Sequence, residues 1–146
     1  MDELEIAWFA GLFEGEGSCG IYGPYPATAT QRASHERARA SLTSVDADVI
    51  ATVQRLTGVG TVNHARLSQK NPKHKDQFHW QVQNTADVLY VCNLIYGRLH
   101  SRRQEQMRPV IEWCEKRLAN PTRRERNGLG QFDSASPSTP DVLASL

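Results

Sequence analysis

The stretch that decides the fold reads Phe9-Ala10-Gly11-Leu12-Phe13-Glu14-Gly15-Glu16-Gly17. Working back from it, Ile6, Phe9, Ala10 and Phe13 recur every three or four residues, the spacing that gathers side chains on one face of an α-helix, and Trp8 and Leu12 widen that stripe. Asp2 is placed to cap such a helix. A second side of it carries Ala7, Gly11 and Gly15, a ladder with little or no side chain. Glycine costs about 1 kcal/mol against alanine inside a helix, so two of them one turn apart suggest that another backbone comes very close.

Outward from this helix the pattern changes period. Ser18 to Tyr22 reads as a short strand, and Gly23-Pro24-Tyr25-Pro26 opens a polar loop that runs through Gln31. In residues 37–43 Arg37, Arg39, Ser41 and Thr43 alternate with Ala38, Ala40 and Leu42, which predicts a strand with one basic, wet face. Asp46 or Ser44 then caps a helix with the stripe Val49, Ile50, Val53 and Leu56, stopped at Gly58. A third strand is expected over Gly60 to Leu67. A fourth follows the Asn71-Pro72 turn, where Phe78, Trp80 and Val82 alternate with Gln77, His79, Gln81 and Gln83. Two helices close the domain. The first has the stripe Val88, Leu89, Val91, Cys92, Ile95 and Leu99; the second has Met107, Val110, Ile111, Cys114 and Leu118, and Pro109 predicts that it starts or kinks near Arg108. Strands in pairs between helices predict an α+β domain, an antiparallel sheet with helices on one face.

At 146 residues the chain is about one domain long. Residues 1–120 are read as that domain and 121–146 as a basic, then Ser/Pro-rich tail, expected to be disordered beyond about Phe132. No apolar run reaches the roughly 18 residues of a membrane span. Asp2, Glu3 and Glu5 stand where a secretory signal carries bases, which predicts a cytoplasmic or organellar protein. Cys19, Cys92 and Cys114 suit neither a disulfide framework nor a zinc site and read as core residues, and the five histidines lack metal-ligand spacing. Net charge is only +1, yet the signs segregate. Residues 1–17 hold five acids and no base, 98–126 hold nine bases against four acids, and Arg66, Lys70, Lys73 and Lys75 cluster mid-chain. That distribution permits a positive, phosphate-binding face beside a small acidic centre. Arginines, glutamines and a histidine on strand faces are also the side chains that read base edges, and a β-ribbon fits a major groove.

Residues 9–17 resemble the nonapeptide that names the LAGLIDADG homing endonucleases. Phe9 stands for the first Leu, Ala10, Gly11, Leu12 and Gly17 are identical, Phe13 replaces Ile, Gly15 replaces Ala, and Glu14 and Glu16 replace the two aspartates. With the element order that follows, the resemblance covers about residues 4–118. It implies an αββαββα fold with a saddle-like antiparallel sheet, and a homodimer joined through Ala7, Ala10, Gly11 and Glu14, the last also steadying the helix junction. It implies Mg²⁺ held at Glu16 and Gly15, with Mn²⁺ as a substitute and Ca²⁺ supporting binding without cleavage. The family's basic residue near the last helices falls at Ser101, so Arg102 and Arg103 are the candidate replacements, and Ser44, or its neighbour Thr43, stands for the polar residue that ends the second strand. Double-stranded DNA would lie on Arg37, Arg39, Ser41, Thr43, Gln77, His79, Gln81 and Gln83, flanked by Arg66, Lys70, Lys73 and Lys75. The implied activity is site-specific cutting of both strands of a long, near-palindromic target, leaving short 3′ overhangs. The rival reading is a catalytically inactive DNA- or RNA-binding relative, a maturase or regulator.

Overall fold

The computed structural model describes residues 1–121, so the expectation of a disordered tail lies outside the described residues. Met1–Glu115 form one compact unit, to which the packing below refers; a second unit, Lys116–Leu146, is described only as far as Pro121. Helix α1 (Glu3–Glu16) leads into strands β1 (Gly17–Tyr22) and β2 (Arg37–Ser44). Helix α2 (Ala47–Thr57) is followed by β3 (Thr61–Ala65) and β4 (Gln77–Val82), and α3 (Thr85–Ile95) and α4 (Ser101–Ala119) complete the order. The expected succession of helix, two strands, helix, two strands and two helices is borne out.

All strand pairings are antiparallel, in the order β1-β2-β4-β3. The register pairs Ala40 with Val82 and Leu42 with Trp80, so the apolar residues of both central strands share one face. That face carries the core. Phe9, Ala10 and Phe13 of α1, Ile50 and Val53 of α2, Val88, Val91, Cys92 and Ile95 of α3, and Met107, Val110 and Cys114 of α4 all bury themselves over Ala38, Ala40, Leu42, Trp80 and Val82. Cys92 and Cys114 are buried and Cys19 half-buried, as core residues should be.

The ends of α1 follow from its sequence. Asp2 and Glu5 form a capping box, each side chain accepting the other's backbone N–H at 2.9 Å. At the far end Gly17 donates its N–H to the Phe13 carbonyl and turns the chain directly into β1. Its backbone is ordinary extended chain, so conformation does not demand glycine there. Space does, because a Cβ would sit 2.4 Å from the Phe13 ring. Gly58 stops α2 in the left-handed conformation, φ 71°, as the sequence predicts.

Three expectations need correction. The third strand ends at Ala65, and Leu67–Gln69 form a turn of 3₁₀ helix instead of continuing it. Helix α4 starts at Ser101, well before Arg108, and continues through Pro109. The hydrogen bond that Pro109 cannot donate belongs to the carbonyl of Glu105, and both residues lie on the exposed side, where solvent can reach that carbonyl while Met107, Val110 and Cys114 hold the buried side. Trp8, expected to widen the buried stripe of α1, is 42% exposed, because the helical period turns it away from Phe9 and Phe13.

The Gly17 contact gives a direct test. Gly17→Ala should destabilise the fold by about 1–3 kcal/mol, the usual cost of overpacking, and pairing it with Phe13→Leu should recover part of that loss in denaturant melts.

Candidate active site and nucleic-acid interface

Two sides of α1 lead separate lives. Ala10, expected at a subunit interface, is 3% exposed and packed within the chain's own core, because it shares the face of Phe9 and Phe13. Ala7, Gly11 and Gly15 do lie on the open side, in line with Leu4 and Trp8, which are 81% and 42% exposed. A Cβ added at Gly11 or Gly15 would meet nothing within 4 Å, so packing within the chain does not require a glycine at either position.

Glu14 is also committed within its own chain. It accepts the His100 backbone N–H at 2.8 Å and lies 3.2 Å from His100 Nδ1. Arg103 Nε donates to the Glu14 carbonyl at 2.9 Å. Glu14 thus joins the end of α1 to the start of α4 within one chain. The His100 backbone N–H, more than any other neighbour, holds its carboxyl below the ordinary value of 4.5. Arg103 is largely covered by this contact, whereas Arg102 and Ser101 are exposed at the first turn of α4, and Arg98 pairs with Glu3.

Glu16 stands exposed at the C-terminal end of α1. It shares a cavity of about 530 Å³ with Thr43, Ser44, Asp46, Gln77, Leu12 and neighbouring valines. The structure therefore brings four expected site residues, Glu16, Ser44, Thr43 and Gln77, together and adds Asp46. Asp46 is the N-cap of α2, yet its carboxylate makes no capping bond, and its N–H donates instead to Ser44 Oγ at 3.0 Å. Neither Arg102 nor Arg103 lines this cavity. Carboxylate and backbone carbonyl are the oxygen donors that Mg²⁺ takes, so Glu16 and the Gly15 carbonyl, beyond the last helical hydrogen bond, fit such an ion in kind. In number they do not complete a site, since among the described residues no group of three or more His, Cys, Asp or Glu gathers.

The face of the sheet away from the helices is polar. Cross-strand register aligns Arg37 with Tyr22, Arg39 with Gly20, Ser41 with Ser18 and Gln81, and Thr43 with His79. His79 in turn faces Asn63, and Gln81 faces Thr61. Arg37, Arg39, Ser41, Thr43, Gln77, His79 and Gln81 therefore stand on one surface as expected, with Gln83 just beyond the end of β4 accepting from Arg37 at 3.0 Å. His79 Nδ1 and Thr43 Oγ1 are 2.8 Å apart. Ser18, Tyr22, Thr61 and Asn63 on the same face were missed, because β1 and β3 are short edge strands with weak alternation.

Arg66, Lys70, Lys73 and Lys75 are exposed on the connection between β3 and β4. Asp76 ties that connection down. Its carboxylate accepts from the backbone N–H of Ser68 at 3.1 Å and from the Ser68 hydroxyl, and lies 2.9 Å from His64 Nε2. The His64 ring stacks on Phe78 at 4.4 Å.

No protein-family model and no curated protein matches the sequence. Solved structures do match. The homing endonuclease I-CvuI, in complex with a DNA target, superposes with a TM-score of 0.63 at 16% identity, over 81% of this chain and 69% of that one. The archaeal intron-encoded homing endonuclease I-Vdi141I, complexed with DNA, gives 0.61 at 13% identity, over 82% and 72%. The LAGLIDADG homing endonuclease I-GzeII, also in complex with a DNA target, gives 0.58 at 13% identity, over 87% and 42%. The protein has the LAGLIDADG homing-endonuclease fold, as the resemblance of residues 9–17 implied.

The Asp76 contacts carry a pH signature. Hydrogen bonds from the Ser68 hydroxyl first, then from His64 and the Ser68 N–H, lower its carboxyl from 3.8 to about 2. A depressed folded-state value stabilises above the unfolded value and ceases to as pH falls through the folded one. The melting temperature of the protein should therefore exceed that of Asp76→Asn by a margin that is constant above about pH 5 and shrinks as pH falls through 3.8 to about 2. A margin independent of pH over that range would contradict the geometry.

Proposed function

We propose that this chain is a LAGLIDADG homing endonuclease: a homodimer that cuts both strands of a specific, near-palindromic DNA site with Mg²⁺. The observation that carries the reading is the open side of α1. Leu4, Ala7, Trp8, Gly11 and Gly15 form an exposed apolar strip with two glycines that the chain's own packing does not require, and it ends at the exposed carboxylate of Glu16. Large apolar side chains cost free energy in water, and glycines there favour a close-approaching backbone. A two-fold pairing of this strip with a second copy covers both. It also sets one Glu16 beside its mate, so that two half-sites of oxygen donors become whole.

In that arrangement Glu16 and the Gly15 carbonyl hold the cation. When bound, the cation supplies positive charge that polarises the scissile phosphate and makes a nucleophile from water near neutral pH. Mn²⁺ substitutes for it, and Ca²⁺ supports binding alone. Ser44 and Thr43, on the wall of the same cavity, offer hydroxyls to order water beside the phosphate. The polar sheet faces of the two copies lie in successive major grooves, and Arg66, Lys70, Lys73 and Lys75 meet the flanking phosphates. Two copies reading alike require a target with two-fold symmetry, and cutting across the minor groove between them leaves short 3′ overhangs.

One observation favours a second reading. Among the described residues no Lys or Arg lines the Glu16 cavity, Ser101 stands at the place that the resemblance gives the family's basic residue, and Arg103 is spent on the Glu14 carbonyl. A chain with this arrangement that binds DNA without cutting it is a regulator or maturase.

Sequencing the bound and the cut molecules of a randomised duplex library, in Mg²⁺ and in Ca²⁺, separates the two. The nuclease reading predicts cutting in Mg²⁺ and binding alone in Ca²⁺ at one near-palindromic site. Glu16→Gln should then abolish cutting while leaving dimerisation and binding intact. Gly11→Leu should leave a folded monomer, since a side chain at that position blocks the second backbone; an active dimer carrying it would refute the interface.

A further inference from the structure

The polar face of the sheet carries a pocket of about 340 Å³ where β1 and β2 leave their hairpin. The connection between the two strands folds back over itself, with Tyr25 and Ser34 exchanging backbone hydrogen bonds at 3.1 and 2.9 Å. The resulting wall includes Tyr22, Tyr25, Arg32, Arg37, Arg39 and Gln83, and among the described residues no acid. The pocket therefore favours an anionic or acceptor-rich ligand.

Its arginines are not equivalent. Arg37 has one guanidinium nitrogen bonded to Gln83 Oε1. The Arg39 guanidinium carbon lies over the Tyr22 ring, 4.1 Å from the ring centroid, and among the described residues no hydrogen bond or ion pair engages its guanidinium. The reason it can lie so is local. Gly20 is the cross-strand partner of Arg39, and a Cβ at Gly20 would come within 3.2–3.3 Å of the Tyr22 ring and hydroxyl. The absent side chain lets Tyr22 fold back along its own strand and offer its face to the arginine of the next. An aromatic face holds a guanidinium plane without consuming its in-plane donors. Arg39 is thus fixed in direction while its hydrogen-bonding edge stays open.

We infer that Arg39, positioned by Tyr22 and Gly20, reads a guanine in each half-site by donating its fork to the O6 and N7 acceptors of that base. The inference rests on the reading that DNA lies on the polar face of the sheet. Base edge and phosphate both present paired acceptors to a guanidinium. The base is favoured because β2 is an interior strand, flanked by β1 and β4, whereas the exposed lysines of the β3–β4 connection stand at the rim where a duplex backbone passes.

The test is selection of bound duplexes from a randomised library by the native chain, Arg39→Ala, Arg39→Lys and Tyr22→Leu, followed by titration of the selected and a scrambled duplex over a salt series. The native chain should select a guanine whose replacement weakens binding about 10- to 100-fold, the worth of a good bidentate contact. Arg39→Ala should be indifferent to that replacement. Arg39→Lys, which keeps the charge, should keep the native salt slope and lose most of the guanine preference. Tyr22→Leu should lose part of the preference with an unchanged salt slope. An unaltered preference in Arg39→Ala and Arg39→Lys overturns the inference. So does a uniform loss across all duplexes with a salt slope lower by about one, the mark of a phosphate contact. If the native chain selects no sequence at all, the reading of the sheet face itself fails.

Discussion

Phe9 meets Phe13 and Trp80 edge to face, with ring centroids 6.2 and 5.9 Å apart, and those contacts seat α1 on the sheet. Trp80 is in turn fixed by its indole N–H, which donates to the Val59 carbonyl at 2.9 Å, so the platform under α1 is itself held in place. Aromatic pairs of this kind bury large areas in a definite geometry. Once Phe9 and Phe13 point inward, the period of the helix leaves no choice for the rest. Ala7, Gly11 and Gly15 point outward, Glu14 meets α4, and the chain turns at Gly17 with Glu16 beside the end of β2. The functional geometry at the end of α1 is a consequence of how its middle packs.

Charge is arranged around that seat with the same economy. The acids of α1 are divided between tasks: Glu3 pairs with Arg98, Glu5 closes the capping box, Glu14 binds the start of α4, and Glu16 is left open. Bases of α4 and the turn before it meet some of these acids, and a separate set, Arg37, Arg39, Arg66, Lys70, Lys73 and Lys75, stands on the outer face of the sheet and on the β3–β4 connection. A formal charge near zero therefore conceals a local cluster of bases, which a polyanion approaching the sheet would meet.

Much of this was legible in the sequence because two periods were clean. Alternation over residues 37–43 and 77–83 assigned both faces of the central strands correctly, and the spacing of Ile6, Phe9, Ala10 and Phe13 placed α1. Edge strands were less legible, since β1 and β3 bury little and show no strict alternation. Hence Tyr22 and Asn63 went unassigned. Pro109 misled for a different reason: its penalty depends on whether the orphaned carbonyl can reach water, which depends on tertiary packing. The assignment of Ala10 to an interface failed because a motif gives a list of positions, and only the helix face tells which side of the chain each one serves. The role of Glu14 needed His100 and Arg103, which are distant in sequence and meet it only in the fold.

The central claim is that the exposed side of α1 is covered by a second copy of this chain, and that the site is whole only then. Sedimentation equilibrium of the purified chain, alone and on its selected duplex, measures this most directly. A mass of two chains in solution and two chains per duplex is predicted. A monomer in solution that binds the duplex one to one, and cuts both of its strands, would contradict the account.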